Sequence, residues 1–225
     1  MVTPTKNTSL LKFPAAPRLP SPTREYSPDM VDQLENSLRL YFNQIDNTLQ
    51  ALLGVRGSQY MNAPYGAFQH NTNQTAASTT AAYPLLVNVV DYSNGVTIDN
   101  TGVSPTYSKI SVEQSGIYNI QFSTQFINPD SQEHDISIWL AKNGTNVADT
   151  ASYFTVPSRH GGTDGRLIAA LNLFVQLAAG DYVQIMWNTD STLVYAGYVA
   201  AATTPDRPLS PSHIVTVQLV SSVIG

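Results

Sequence analysis

The chain has 225 residues, a formal charge of −5, and charged side chains at only 12% of its positions. This length suits one sizeable β domain with an appendage. The chain has no dense basic stretch interleaved with aromatic residues, which argues against a nucleic-acid-binding protein. Cysteine is absent, so disulfides and thiolate metal sites are excluded. No apolar run approaches the roughly 18 residues that cross a bilayer, and we expect no membrane insertion.

Residues 1–27 form a Pro-rich arm whose charge differs from that of the rest of the chain. Four of the 11 basic residues lie here, against one acidic residue. Proline fixes φ and removes backbone donors, so this arm is expected to be extended and unable to fold alone. Its apolar and basic side chains are spaced to dock on a partner surface. These candidate anchoring residues are Leu10, Leu11, Phe13, Arg18, Leu19 and Arg24. A disordered tail is the alternative.

Residues 28–53 are predicted to form one long α-helix. Ser27 is a suitable N-cap, Pro28 fits the first helical position, and Gly54 supplies a stop. Apolar residues recur at alternating spacings of three and four, which is typical of a heptad seam. The seam consists of Val31, Leu34, Leu38, Tyr41, Ile45 and Leu52, with Thr48 at a weak position and Phe42 and Leu49 in an adjoining column. Such a stripe packs either on its own domain or between copies. Its place between the arm and the β domain favours a trimeric junction, followed by a linker at 54–62.

Residues 63–225 carry the alternating pattern of β-strands. In GIYNIQFSTQF, apolar and polar residues alternate, and HDISIWLAK, DYVQIMW and HIVTVQLV repeat this pattern. Turn signals separate the strands, among them the Asn-Gly pair in KNGT. Many short strands without interleaved helices indicate an antiparallel sandwich. In TLVYAGYVA, Tyr195 and Tyr198 are expected on opposite faces of one strand.

Residues that could support catalysis or metal binding are scattered. The four histidines lie far apart in the sequence, and no hydrolase elbow or phosphate loop is present. We therefore expect no catalytic residues, no metal site and no cofactor. The loop from Asp130 to Asp135 is acidic enough to suggest a hard cation, but a solvated hairpin loop explains it better. The Gly-rich loop RHGGTDGR offers outward contacts to a carboxylate or a sugar through Arg159, His160, Asp164 and Arg166.

The strand motifs, taken in order, resemble the tumour-necrosis-factor and complement-globular-head superfamily of jelly rolls. The resemblance covers about residues 63–222. It lies in Gly116 and Tyr118 opening a long strand, in the hairpin from Lys142 to Gly144, and in LAAGDYV from Leu177 to Val183. It implies a ten-strand jelly roll that forms trimers through aromatic and aliphatic residues. The chain departs from vertebrate members in lacking a collagen-like stalk and an apolar signal region.

The segment YSPDMVDQLENSLRLYFNQIDN resembles a leading segment of virion structural proteins of marine tailed phages, especially cyanophages. This resemblance implies a location in the virion and binding to other phage proteins of the capsid or tail, while the homotrimer is expected from the helix seam and the jelly-roll resemblance. We therefore expect a non-enzymatic structural component: a short head fibre, a capsid decoration protein or a tail-associated appendage. A tail-fibre-like appendage that binds host-surface glycans is the alternative.

Overall fold

The computed structural model describes residues 14–22, 24–53, 63–98 and 106–222. The chain divides into two compact units, residues 1–62 and 63–225, and each is described by itself. Three predicted anchoring residues, Leu10, Leu11 and Phe13, lie outside the described residues, as does the linker at 54–62.

The described residues of the first unit include one helix, α1, which spans Pro28–Leu53. It begins as predicted, because the Ser27 hydroxyl accepts a hydrogen bond from the Met30 amide at 3.4 Å. The Ser27 carbonyl also accepts a bond from the Val31 amide at 3.2 Å. Residues 14–22 and 24–27 belong to no helix or strand, and Arg18, Leu19 and Arg24 are exposed. Among the described residues, no helix is both long and apolar enough to pass through a membrane.

The second unit is built from two antiparallel sheets of seven strands each. The first sheet contains β1 (Tyr65–His70), β2 (Gln74–Thr75), β4 (Val89–Asn94), β7 (Gly116–Asn128), β11 (Gly165–Leu177), β13 (Tyr195–Ala196) and β16 (His213–Ser221). The second sheet contains β3 (Tyr83–Pro84), β5 (Val96–Ile98), β6 (Ile110–Val112), β8 (His134–Lys142), β9 (Thr145–Asn146), β10 (Ser152–Val156) and β12 (Tyr182–Thr189). A small separate hairpin joins β14 (Ala202–Thr203) and β15 (Asp206–Arg207).

The order of the strands is that of a ten-strand jelly roll. The main path of the first sheet is β4-β1-β16-β7-β11, and that of the second is β5-β6-β12-β8-β10. The remaining four strands in the sheets have two residues each. The chain passes repeatedly between the sheets, so neighbouring strands come from distant parts of the sequence. The predicted fold class, mainly β with an antiparallel jelly roll preceded by an arm and one helix, is confirmed.

The core lies between the two sheets, and the alternating residues identified from the sequence fill it. In β7, Tyr118, Ile120, Phe122 and Phe126 are buried, and the apolar residues of β8, β12 and β16 face them. The ring of Trp187 packs against that of Phe126, with centroids 5.3 Å apart. One face of each of these four strands is therefore dry, which is why their sequence period is two.

Two sequence motifs from different strands meet at one end of the sandwich. Asn143 and Gly144 have positive φ, of 51° and 80°, and close the predicted hairpin. The Asp181 carboxylate accepts hydrogen bonds from Asn143 Nδ2 at 2.7 Å and from the Ala178 amide at 2.8 Å. Lys142 Nζ lies 2.8 Å from the same carboxylate. The bond from Lys142, then those from Asn143 and Ala178, lower the pKa of Asp181 to about 2.

The prediction for Tyr195 and Tyr198 is wrong in one respect. β13 ends at Ala196, so Tyr198 lies beyond the strand and is not on its opposite face. The strand ends because the Gly197 amide turns to the Gln125 carbonyl at 2.7 Å, and the Tyr198 amide bonds to Asn73 Oδ1 at 2.8 Å.

Candidate functional site

The helix α1 carries an apolar stripe that the other described residues of its own unit leave at least partly exposed. Of the predicted seam, Leu34, Leu38, Tyr41 and Ile45 are half-buried, and the end positions are exposed. The adjoining Phe42 is 61% exposed. A long helix with an uncovered apolar stripe is stabilised when a second surface covers it.

The solvent face of the first sheet is uncharged over most of three adjacent strands, β16, β7 and β11. Residues 117–125 of β7, 168–176 of β11 and 214–220 of β16 include no Asp, Glu, Lys or Arg. Ile168 and Phe174 are 66% and 61% exposed there, and Ile214 also faces outward. Gln121, Asn172 and Thr216 form a cross-strand row of uncharged polar side chains at its centre. Such composition is typical of the core of a protein interface, from which charged residues are depleted.

Two open clefts indent this face. One has a volume of about 400 Å³ and lies between β11, β7 and β16, with Gln121, Asn172 and Ile214 among its lining residues. The other has a volume of about 230 Å³ and lies beside Tyr65 and Tyr92. These clefts could receive side chains of another protein surface.

The residues predicted for outward contacts lie at the end of the sandwich opposite Asp181. Arg159 Nε is 3.7 Å from Asp164 Oδ1, and both side chains are partly exposed. His160 pairs through its backbone with Thr163 and is exposed. The sequence pattern predicts Arg166 in the Gly-rich loop, and this placement is wrong. Arg166 is in β11, opposite Ile127, because β11 begins at Gly165.

The acidic segment from Asp130 to Asp135 is braced by histidine. His134 Nε2 lies 2.9 Å from Asp130 Oδ2, and its Nδ1 lies 3.1 Å from Asp190 Oδ1. The hydrogen bond with His134, then that from the Ser131 amide, lowers the pKa of Asp130. Among the described residues, no group of three or more histidine, aspartate or glutamate side chains is arranged to hold a metal ion.

Sequence reasoning missed a pair of buried histidines. His70 and His213 are cross-strand partners in β1 and β16. Thr124 Oγ1 is 2.8 Å from His213 Nδ1, whereas Nε2 of His213 is buried without a hydrogen-bond partner in the described chain. Burial lowers the pKa of both imidazoles, that of His213 to about 3. A signal was present, because His213 falls on the same alternation as Val215.

The solvent face of the second sheet carries a smaller, polar cleft. Its volume is about 200 Å³, and Tyr153, Ser137 and Asn188 line it along one cross-strand row. Tyr153 is 80% exposed. Sequence reasoning did not identify this cleft, because three strands bring its residues together.

Comparison with known proteins adds little to these observations. No family model matches the chain, and no curated protein matches it. A solved structure of Eiger TNF from S. frugiperda is similar to this chain at 13% identity, with a TM-score of 0.47. The match covers 73% of this chain and 97% of that one. The jelly-roll assignment made above depends on the strand order of this chain.

Proposed function

We propose that this protein is a non-enzymatic structural component of a tailed-phage particle. It acts as a trimeric short fibre or capsid decoration protein, with the arm anchoring it and the jelly roll forming an outward knob. The observation that carries this proposal is the heptad stripe of α1, which the other described residues of its own unit leave at least partly exposed. The virion location is supported by the resemblance of YSPDMVDQLENSLRLYFNQIDN to leading segments of phage structural proteins.

The energetics favour association between copies. Full burial of one Leu or Ile side chain contributes about 1.5–3 kcal/mol. Six partly exposed seam residues in each of three helices therefore act against an association cost of about 4–15 kcal/mol for each of the two association steps. The uncharged face of the first sheet supplies a second surface of the same character, suited to contacts between neighbouring jelly rolls.

The length of the helix limits the kind of appendage. Its 26 residues span about 40 Å at 1.5 Å per residue. A short fibre or a decoration protein fits this length, and a long host-scanning tail fibre does not. The basic arm is suited to an acidic partner surface on the particle, and Arg18 and Arg24 are exposed for that contact.

The helix junction is tested by one matched pair of variants. Ile45→Lys places a charge in the seam, whereas Asn47→Lys places it at an exposed position outside the seam. Light scattering should give a trimer for the parent and for Asn47→Lys, and a smaller species for Ile45→Lys. A trimer unchanged by Ile45→Lys contradicts the junction.

The arm is tested by its removal. Deletion of residues 1–27 should leave a soluble trimer that no longer binds particles lacking this protein. Undiminished binding refutes the anchoring role. Electron microscopy of particles with and without the protein then locates it on the head, the collar or the tail.

A second candidate function is recognition of host-surface glycans by the knob. The observation that favours it is the polar cleft beside the exposed ring of Tyr153. A purely architectural knob binds no saccharide saturably, so a glycan array with the full chain separates the two functions.

A further inference from the structure

The polar cleft on the second sheet presents an aromatic ring beside fixed polar groups. β10, β8 and β12 place Tyr153, Ser137 and Asn188 side by side on the solvent face. Asp135 and Asp190 lie in the next row along the strands, two residues from Ser137 and from Asn188, and also line the cleft. The backbones of these two aspartates are joined, because the Asp190 amide donates to the Asp135 carbonyl at 3.1 Å.

The polar groups are held in position but retain hydrogen-bonding capacity. The Ser137 hydroxyl donates to Asn188 Oδ1, so the orientation of that amide is set. Asn188 Nδ2 has no hydrogen-bond partner in the described part of the chain. Asp135 Oδ1 accepts a bond from Thr155 at 2.7 Å, and its other oxygen is free within the same described residues. Asp190 Oδ1 is likewise engaged in a hydrogen bond with His134 Nδ1, at 3.1 Å.

This combination matches the chemistry of a sugar ring. A pyranose has an apolar face of C–H groups that packs on an aromatic ring, and its hydroxyls both donate and accept hydrogen bonds. Carboxylate oxygens accept from hydroxyls, and an amide nitrogen donates to them. Tyrosine supplies contact area at a low cost in side-chain entropy. The cleft therefore offers one stacking surface, one donor and two acceptors within a single site.

Charge and size narrow the class of sugar. The two carboxylates repel an anionic ligand, so uronic and sialic acids are disfavoured. The volume of about 200 Å³ is below the roughly 300–1,000 Å³ of sites for drug-sized ligands. One ring fits, and a longer oligosaccharide would extend into solvent.

We propose that this cleft binds a single neutral hexopyranose unit of a surface glycan, stacked on Tyr153 and hydrogen-bonded to Asn188, Asp135 and Asp190. This inference rests on the second candidate function, recognition of host-surface glycans. It adds the position of the site and the charge class of its ligand.

The test uses the full chain on an array of neutral and acidic glycans, followed by ligand-observed NMR with methyl glycosides of glucose, galactose and mannose. Tyr153→Ala should weaken binding of the best neutral glycoside by at least about tenfold, whereas Tyr153→Phe should retain it. Asn188→Ala should weaken it by about the same factor. Tyr26→Ala is the matched control, because this tyrosine is 83% exposed and lies in the other unit.

The charge argument has its own test. The methyl glycoside of glucuronic acid should bind at least about tenfold more weakly than that of glucose. Asp135→Asn, which keeps an oxygen for Thr155, should reduce that difference.

The outcomes distinguish the function from the site. If no array glycan and no methyl glycoside binds the parent, glycan recognition itself fails. If a neutral sugar binds equally well to Tyr153→Ala and Asn188→Ala, recognition stands and this cleft is the wrong site. A preference for acidic sugars would also overturn the proposed ligand class.

Discussion

The buried His213 should make the stability of the jelly roll depend on pH between about 6.5 and 3, which begins above the pH range where carboxylates titrate. Burial lowers its pKa from 6.5 to about 3, because the imidazolium form would lose its hydration. Between these values the unfolded chain binds a proton that the folded chain does not. The free energy of unfolding therefore falls as pH falls, by about 1.4 kcal/mol per pH unit. At pH 5 this amounts to about 2 kcal/mol, and His70 acts in the same direction.

The variant His213→Asn isolates this effect. The asparagine amide takes the place of the ring Nδ1, so the hydrogen bond with Thr124 is preserved while the titrating group is lost. We expect lower stability at pH 8, by about 1–2 kcal/mol for the smaller side chain, and a flatter decline from pH 7 to 5. His160→Asn changes an exposed loop histidine and is the control, expected to follow the parent.

The assay is urea unfolding at a series of pH values, at fixed ionic strength and fixed protein concentration. Fluorescence reports the transition, because Trp187 is buried in the core. Equal slopes of unfolding free energy against pH for the parent and His213→Asn, between pH 7 and 5, would refute the reasoning.

Three further predictions follow from single contacts. Gly165→Ala should destabilise the jelly roll by about 1–3 kcal/mol, since its Cβ would overlap the Pro157 carbonyl; thermal unfolding measures this, and an unchanged midpoint contradicts it. Asp181→Ala should lower the free energy of unfolding by about 1–2 kcal/mol at pH 7. This difference from the parent should vanish as pH falls through about 2, because the aspartate of the parent becomes protonated. Urea unfolding of both proteins at pH 7 and at pH about 2 measures it. Phe174→Lys, on the exposed face of the first sheet, should weaken the trimer, whereas Gln184→Lys on the second sheet should not. Sedimentation measures the trimer fraction, and equal fractions for the two variants would exclude the first-sheet face from the trimer interface.

The antiparallel sandwich was predictable from local chemistry, whereas its jelly-roll order was implied by the family resemblance. A strand with one dry and one wet face must alternate, so Tyr118, Ile120 and Phe122 indicated the buried side of β7 directly. Ser27 indicated the start of α1, because a hydroxyl at the N-cap accepts a hydrogen bond from an otherwise unpaired amide of the first turn. The Asn143-Gly144 pair indicated a turn, because these two residue types readily adopt the positive φ that a tight hairpin requires.

The sites that depend on strand pairing were not predictable. His70 and His213 become neighbours because β1 pairs with β16, and no local pattern states that pairing. The cleft beside Tyr153 likewise requires the register of three strands. Arg166 was assigned to a loop because glycines precede it, but pairing with β7 extends β11 to Gly165. Sequence periodicity reports which face is buried, and it is silent on which strand lies alongside.

The association of three copies through the seam of α1 is the central claim. Sedimentation equilibrium of the full chain at micromolar concentration tests it most directly. We predict a single protein species with three times the 24.4 kDa mass of one chain. A homogeneous species of 24.4 kDa, with the residues from Val31 to Leu52 protected by the same chain's own sandwich, would contradict it.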